Sequence, residues 1–413
     1  MRKLGLLTLL SFLVITLCLS SAVSAEDTIK LGAVNPLGDI TGRQGTNAME
    51  LAVEEINEDG GLLGREVELI VVDSEQKPEK GASAIDRLAT VEDVDFFVGG
   101  MSSGVHLAQI PIMKKYQKVT VWMGAATHKA EEAVGEDADW YFHIHPWDYQ
   151  QGASYGEGWT EIVEKHSEVD VDKVFLAYEE GSFGTDSYKS YQEYYEMAQE
   201  GEGPYTEILT EMEGASFKSA AADGGDYRSV LRQAKDFDPD LFIWAGWEAD
   251  AIPMLTQAKE IGFEPPLYVG APPGWPQDFG EHELSDGVIL YGMWAPALKE
   301  VSSEAKHFWD AYVEMFDEEP ATYFAPLGYT NIKFLAKGIE NAGTLEKDEV
   351  IEALRNTKYD SPLGDTLEIS PSRIIPNQGF SSQKILQYQD GEQHVIWPFD
   401  NSTADIEYPF SWE

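Results

Sequence analysis

Two short stretches, Ser102-Ser103 and Ala125-Ala126-Thr127, carry the residue types best suited to holding a small polar molecule. A carboxylate or amide entering a crevice needs several hydrogen-bond donors. Hydroxyls and backbone N–H groups at strand-to-helix turns supply them without a buried counter-charge. The same residues also suit helix N-caps, and taken alone they leave both readings open. His143 and His145 alternate on one strand face, yet no nearby Cys or third His completes a metal set and Pro146 closes the segment, so no metal is expected. The chain contains no Walker loop, H-E-x-x-H or CxxC. Glycine turns such as Asp59-Gly60-Gly61 lie in the wrong context for phosphates. Neither catalysis nor a cofactor is expected.

Composition narrows the partners. With 73 acidic against 29 basic residues the formal charge is -44, a surface that repels phosphate backbones and anionic headgroups, which disfavours nucleic acid and membrane surfaces as partners. The acid is spread through the whole chain instead of one tail, as expected for a folded protein working in high salt, where charges are screened over a few ångströms. A length of 413 residues with 43% apolar content exceeds the usual single domain, and two lobes are expected.

The first 25 residues have the make-up of a secretory signal: Arg2 and Lys3, an apolar stretch from Leu4 to Leu19, and small residues at Val23-Ser24-Ala25. The expected product is exported, periplasmic or extracytoplasmic, and cut near Ala25. A retained anchor is the alternative, although the apolar run of about 16 residues falls short of the ~20 a span needs. The single cysteine, Cys18, lies in this segment behind Leu17, a poor lipoprotein context. No lipid anchor and no disulfide are expected in the mature chain, although the compartment would permit one.

Strand and helix patterns then alternate. Strands are predicted at Thr28–Val34, Glu66–Asp73, Asp95–Val98, Val119–Met123, Lys173–Tyr178, Leu241–Ala245, Pro266–Val269 and Val288–Tyr291. Helices are predicted at Thr46–Asn57, Lys80–Thr90, Ser187–Met197, Tyr227–Lys235 and Ala251–Ile261. Short apolar strands separated by helices imply an α/β protein with parallel sheets covered on both faces and a ligand crevice at the carboxyl ends of the strands. The tail from Asp400 to Glu413 is polar, ends in aromatics, and reads as a surface strap.

Several stretches, in order along the chain, resemble the leucine/isoleucine/valine-binding type of periplasmic binding protein: Asn35-Pro36-Leu37-Gly38-Asp39-Ile40-Thr41-Gly42, Glu54-Glu55-Ile56-Asn57, Gly60-Gly61-Leu62-Leu63-Gly64-Arg65, Val98-Gly99-Gly100-Met101-Ser102-Ser103, Gly124-Ala125-Ala126-Thr127, Gly181-Ser182-Phe183-Gly184, Ala245-Gly246-Trp247 and Ala325-Pro326-Leu327-Gly328-Tyr329. The resemblance implies a type I binding-protein fold, two Rossmann-like lobes joined by three hinge crossovers. Lobe 1 would comprise residues 27–146 plus 297–380, lobe 2 residues 147–296 plus 381–400, and the tail residues 401–413. It further implies a monomer that delivers an amino acid, amide or other small polar solute to the permease subunits of an ABC importer, although related domains also form sensors.

The resemblance also assigns roles. Positions matching Ser103, Ala125 and Thr127 hold a ligand carboxylate, with Ser102 and Ala126 beside them. Phe183 stands where relatives place a tyrosine, keeping the aromatic wall and losing the hydroxyl; Trp247 is a second aromatic from lobe 2, and Gln44 reaches the ligand side chain from lobe 1. One departure stands out. Amino-acid binders of this type carry a glutamate for the ligand's ammonium after the strand matching Tyr268-Val269-Gly270, and here Ala271-Pro272-Pro273 follows. Either another acid replaces it, with Glu248 first and Asp250 second, or the ligand lacks that cation. Glu248 beside an indole would suit a cationic ligand, quaternary amines included.

Overall fold

The computed structural model describes residues 28–412, apart from Asp223 and Gln277. The N-terminal segment expected to act as a signal, with Cys18, therefore lies outside the described residues, within which no helix is long and apolar enough to cross a membrane.

Strands β1 (Ile29–Asn35), β2 (Val67–Asp73), β3 (Phe96–Val98), β4 (Thr120–Trp122) and β5 (Tyr141–His143) form one sheet in the order β2-β1-β3-β4-β5, every pair parallel. Helices α1 (Ile40–Glu58), α2 (Pro78–Thr90), α3 (Ser103–Tyr116) and α4 (His128–Val134) connect them. The Asp39 carboxylate accepts from the Thr41 N–H at 2.9 Å to start α1, and Ala48, Met49, Ala52 and Ile56 form its buried stripe.

The chain then enters a second sheet. Helix α5 (Asp148–Lys165) leads to β6 (Lys173–Glu179), α6 (Ser182–Gln199), β7 (Glu211–Phe217), α7 (Arg228–Phe237), β8 (Leu241–Ala245), α8 (Ala251–Glu260), β9 (Leu267–Gly270) and β10 (Ile289–Gly292). It returns to cover the first sheet with α9 (Ser303–Phe316), α10 (Phe324–Ala342) and α11 (Lys347–Asn356), α10 packing along α1 and over β4. After the small ladder of β11 (Tyr359–Asp360) and β12 (Thr366–Leu367), it crosses again to add β13 (Lys384–Gln389) and β14 (Glu392–Trp397). The second sheet runs β14-β13-β10-β9-β8-β6-β7. All five residues of β8 are buried, as a strand covered on both faces requires.

One expectation needs correction. The second sheet is mixed, because β13 pairs antiparallel with β10 and β14 antiparallel with β13. A tight turn at Asp390-Gly391, both with positive φ, joins those two strands, and only antiparallel neighbours can be joined so briefly.

The tail is more than a loose strap. The Phe410 N–H donates to the Pro266 carbonyl at 2.8 Å, and Phe410 and Trp412 pack on Tyr268. Glu407 N–H donates to the Gln387 side chain at 2.8 Å.

Candidate functional site

The carboxyl ends of β1, β3 and β4 face those of β6, β8 and β9 across a cleft, as open α/β sheets arrange their crevices. On the first lobe two buried asparagines brace the loop after β3. Asn35 accepts from the Gly100 N–H at 2.9 Å, and Asn331 of α10 accepts from the Gly99 N–H at 3.0 Å. Gly99 (φ +80°) and Gly100 (φ +83°) take the left-handed conformation that glycine adopts without strain, and this turn delivers Ser102 and Ser103 to the start of α3.

The cavity between the lobes is lined by Ser102, Ser103, Ala125 and Ala126 from the first lobe and by Phe183 and Trp247 from the second. Its volume is about 30 Å³, room for only a few waters, so the two halves stand nearly shut. Phe183 and Trp247 lie with ring centroids 5.6 Å apart and their planes inclined at 50°. Trp247 is held by Asp250, which accepts from its N–H at 2.8 Å. Ser103 is only 4% exposed, and Ser102, although at the N-cap, makes no side-chain capping bond.

Other expected site residues stand elsewhere. Thr127 is buried, but its hydroxyl donates to Asp186 of α6 at 2.7 Å and accepts from the Lys129 N–H, so the N-cap reading holds for it and it does not line the cavity. Ala125 lines the cavity at φ +71°, an uncommon conformation for alanine, yet its N–H donates to the Met101 carbonyl at 2.6 Å and is not free for a ligand. Gln44 is fully buried and structural: its amide donates to the Glu319 carbonyl at 3.1 Å and accepts from the Ala321 N–H at 2.8 Å. Glu248 lies outside the cavity wall. Burial, and next the Asp39 carboxylate, raise its pKa while Arg43 offsets them, so it faces the start of α1. Asp250 is committed to Ser219, Ala220 and Tyr227 as well as Trp247.

The structure adds residues that were not expected to meet the solute. His145, Tyr323, Phe324, Thr41 and Gln76 complete the cavity wall. His145 Nε2 lies 3.1 Å from the Tyr323 hydroxyl, and burial pushes its pKa down to about 3, so the ring is neutral. His143 stacks on Trp147 at 3.6 Å and contacts the Gly124 carbonyl at 2.7 Å, a packing role that explains the alternating pair. Among the described residues no group of three or more His, Cys, Asp or Glu could hold a metal ion. A second recess of similar size opens from the same point, sharing Phe183 and Tyr323, and runs under the second sheet among Tyr155, Tyr191 and Tyr291.

Contacts also join the lobes beside the cavity. Lys129 of α4 pairs with the fully buried Asp186 at 2.6 Å, and His128 Nδ1 lies 2.7 Å from Asp148 at the start of α5. The Asp148 hydrogen bond raises the His128 pKa above its ordinary value of 6.5, with Asp186 and Glu132 adding to the effect. A raised folded-state value means a contribution fully present below the unfolded pKa and lost as pH rises through the folded one. His128→Gln is therefore expected to remove a stabilisation of less than about 1 kcal/mol, present near pH 6 and fading toward pH 8, the size being limited by solvent screening. Urea unfolding of both forms at the two pH values checks this; equal differences at both would refute it.

Residues 28–377 match the family described as periplasmic binding protein. Over 354 residues the chain is 24% identical to the leucine-, isoleucine-, valine-, threonine-, and alanine-binding protein of Pseudomonas aeruginosa, covering 83% of this chain and 86% of that protein. Among solved structures, a leucine binding protein from Thermotoga maritima superposes with a TM-score of 0.71 at 20% identity, over 89% of this chain and 97% of that one. The branched-chain amino acid transporter substrate binding protein of Streptococcus pneumoniae, solved with isoleucine, gives 0.69 at 21% identity over 92% and 100%.

Proposed function

Because the chain belongs to the periplasmic binding protein family across residues 28–377, we propose that it captures a small solute between its lobes and hands it, unchanged, to the permease subunits of an ABC importer. The observation that carries this reading is the shared cavity, where Ser102 and Ser103 of one lobe face Phe183 and Trp247 of the other. Relatives named for binding leucine, isoleucine and valine support it.

The lobes, taken as residues 27–146 plus 297–380 and 147–296 plus 381–400, would turn about the three passages between the sheets. Closure excludes water and strengthens the hydrogen bonds inside. The solute then shifts an open–closed population, and no bond chemistry is required of the protein. The N-terminal segment would direct export, and the chain would work as a monomer.

Thermal melting against a panel of amino acids, carboxylic acids, amides, urea and quaternary amines tests the proposal, since a solute selective for the folded state raises the transition by mass action. At least one class is expected to raise it without being consumed. A panel with no effect, or turnover of the binding solute, would remove the basis for the reading.

A further inference from the structure

The wall of the cavity is neutral, in a protein whose formal charge is -44. Its polar groups are the Ser102, Ser103 and Thr41 hydroxyls, the Gln76 amide, the Tyr323 hydroxyl and a His145 ring held neutral by burial. The remaining wall is apolar or aromatic: Met101, Phe183, Trp247, Phe324 and two prolines.

Several charges close to the cleft are matched to one another, while Asp39 and Glu248, close enough to repel each other, lie outside the cavity wall. Asp186 is bound by Lys129 and Thr127, and Asp148 by His128. Arg43 is bound by Glu318 at 2.7 Å. The Glu179 carboxylate accepts from the Gly181 and Gly184 N–H groups at the start of α6. In the recess, Asp148 is the charged wall residue, and it is the one already held by His128.

An ammonium shut into such a site would lose its hydration with no carboxylate in the cavity wall to receive it, a heavy cost. A carboxylate meets better conditions. The 14-residue helix α3 begins at Ser103, its first-turn N–H groups lack intrahelical acceptors, and its dipole favours negative charge there. Ser103 itself is only 4% exposed, lines the cavity and has no side-chain hydrogen-bond partner among the described residues, so its hydroxyl is available to an anion.

We infer that the solute is a monocarboxylate with an apolar body and no ammonium group, its carboxylate at the start of α3 and its body between Phe183, Trp247 and Tyr323. This deepens the solute-binding reading proposed above and rests on it. The body can extend from Phe183 and Tyr323 into the recess, whose walls are Leu176, Ile243 and the rings of Tyr155, Tyr191 and Tyr291.

Matched pairs differing only in the α-ammonium provide the test: 4-methylpentanoate against leucine and 3-phenylpropanoate against phenylalanine, by calorimetry on the mature protein at high salt. The acid of at least one pair is expected to bind tighter than its amino counterpart by about 30-fold or more. Ser103→Ala should weaken that acid by about tenfold, the effect of one hydrogen bond to a charged group. Ala271→Glu places a carboxylate on the recess wall and should shift the preference of the pair toward the amino acid. Leucine or phenylalanine binding as tightly as its acid would overturn the inference and leave the solute-binding reading standing. Binding of quaternary amines or uncharged amides alone would do the same. Failure of every solute in the wider panel would overturn both.

Discussion

Replacing Lys129 by methionine is expected to weaken solute binding by about 100-fold, with the fold retained. The reason is an asymmetry between the partners. Asp186 is fully buried, whereas the Lys129 side chain is 42% exposed. Removing the lysine leaves a desolvated carboxylate with the Thr127 hydroxyl and a Lys189 ammonium no nearer than 3.7 Å. Breaking a buried pair in this way costs about 3 kcal/mol, and the charge recovers its hydration when the lobes part, so the cost falls on the closed state. Adding Asp186→Asn to Lys129→Met should recover most of the lost affinity, because a neutral amide can still accept from Thr127. Calorimetric affinities for the two single variants and the double variant check this; a Lys129→Met protein that binds as tightly as the parent removes the latch from the closing mechanism.

The second large effect concerns Gly100. A Cβ placed there would sit 1.9 Å from the Trp122 ring, and the backbone holds φ +83°. Trp122 is buried and stacked on His106 at 4.6 Å, so it cannot swing aside. Gly100→Ala combines left-handed strain with an overpacked core, and a loss of about 4 kcal/mol in unfolding free energy is expected. Gly104, two residues past Ser102 inside α3, has nothing within 4 Å of its would-be Cβ, and there alanine should be neutral or stabilising by about 0.5 kcal/mol. Denaturant titration of the pair of variants gives the contrast. Similar midpoints for both would mean that the loop after β3 is far more pliant than its bracing by Asn35 and Asn331 implies.

What the residues disclose follows the strength of local patterning. Buried strands such as Leu241–Ala245 and β1, with their alternating or continuous apolar runs, are legible because burial on a sheet face leaves a period in the sequence. The edge strand β7, with the mostly half-exposed sequence EMEGASF, and β14, which begins Glu392-Gln393-His394, carry no such signal. Each is placed by pairing with the one strand beside it, β6 for β7 and β13 for β14. Helices α3, α4, α5, α9, α10 and α11 also go unpredicted, although the Ser102-Ser103 start of α3 does not.

The site divides along the same line. Ser102, Ser103, Ala126, Phe183 and Trp247 stand at strand ends, where the fold class predicts a crevice, and the structure brings them together. Thr127 and Glu248 also sit at such ends and Gln44 lies inside α1, but which way a side chain turns depends on contacts across the molecule: Asp186 for Thr127, and the Glu319–Ala321 backbone for Gln44. Tyr155, Tyr191 and Tyr291 belong to long helices or to a core strand and Tyr323 caps α10, and in sequence such tyrosines look like ordinary packing. Only the meeting of the lobes gives them a shared recess.

The late return of the chain to both sheets bears on how the molecule is made. As a ribosome releases the polypeptide, all five strands of the first sheet are out once His143 has emerged, but α10, which seals α1, follows only at Phe324–Ala342. Strand β10 likewise waits about 90 residues for β13, and loops of that span close slowly. The nascent protein must therefore hold two unfinished cores at once, the first completed when α10 and α11 arrive and the second only later, with β13 and β14.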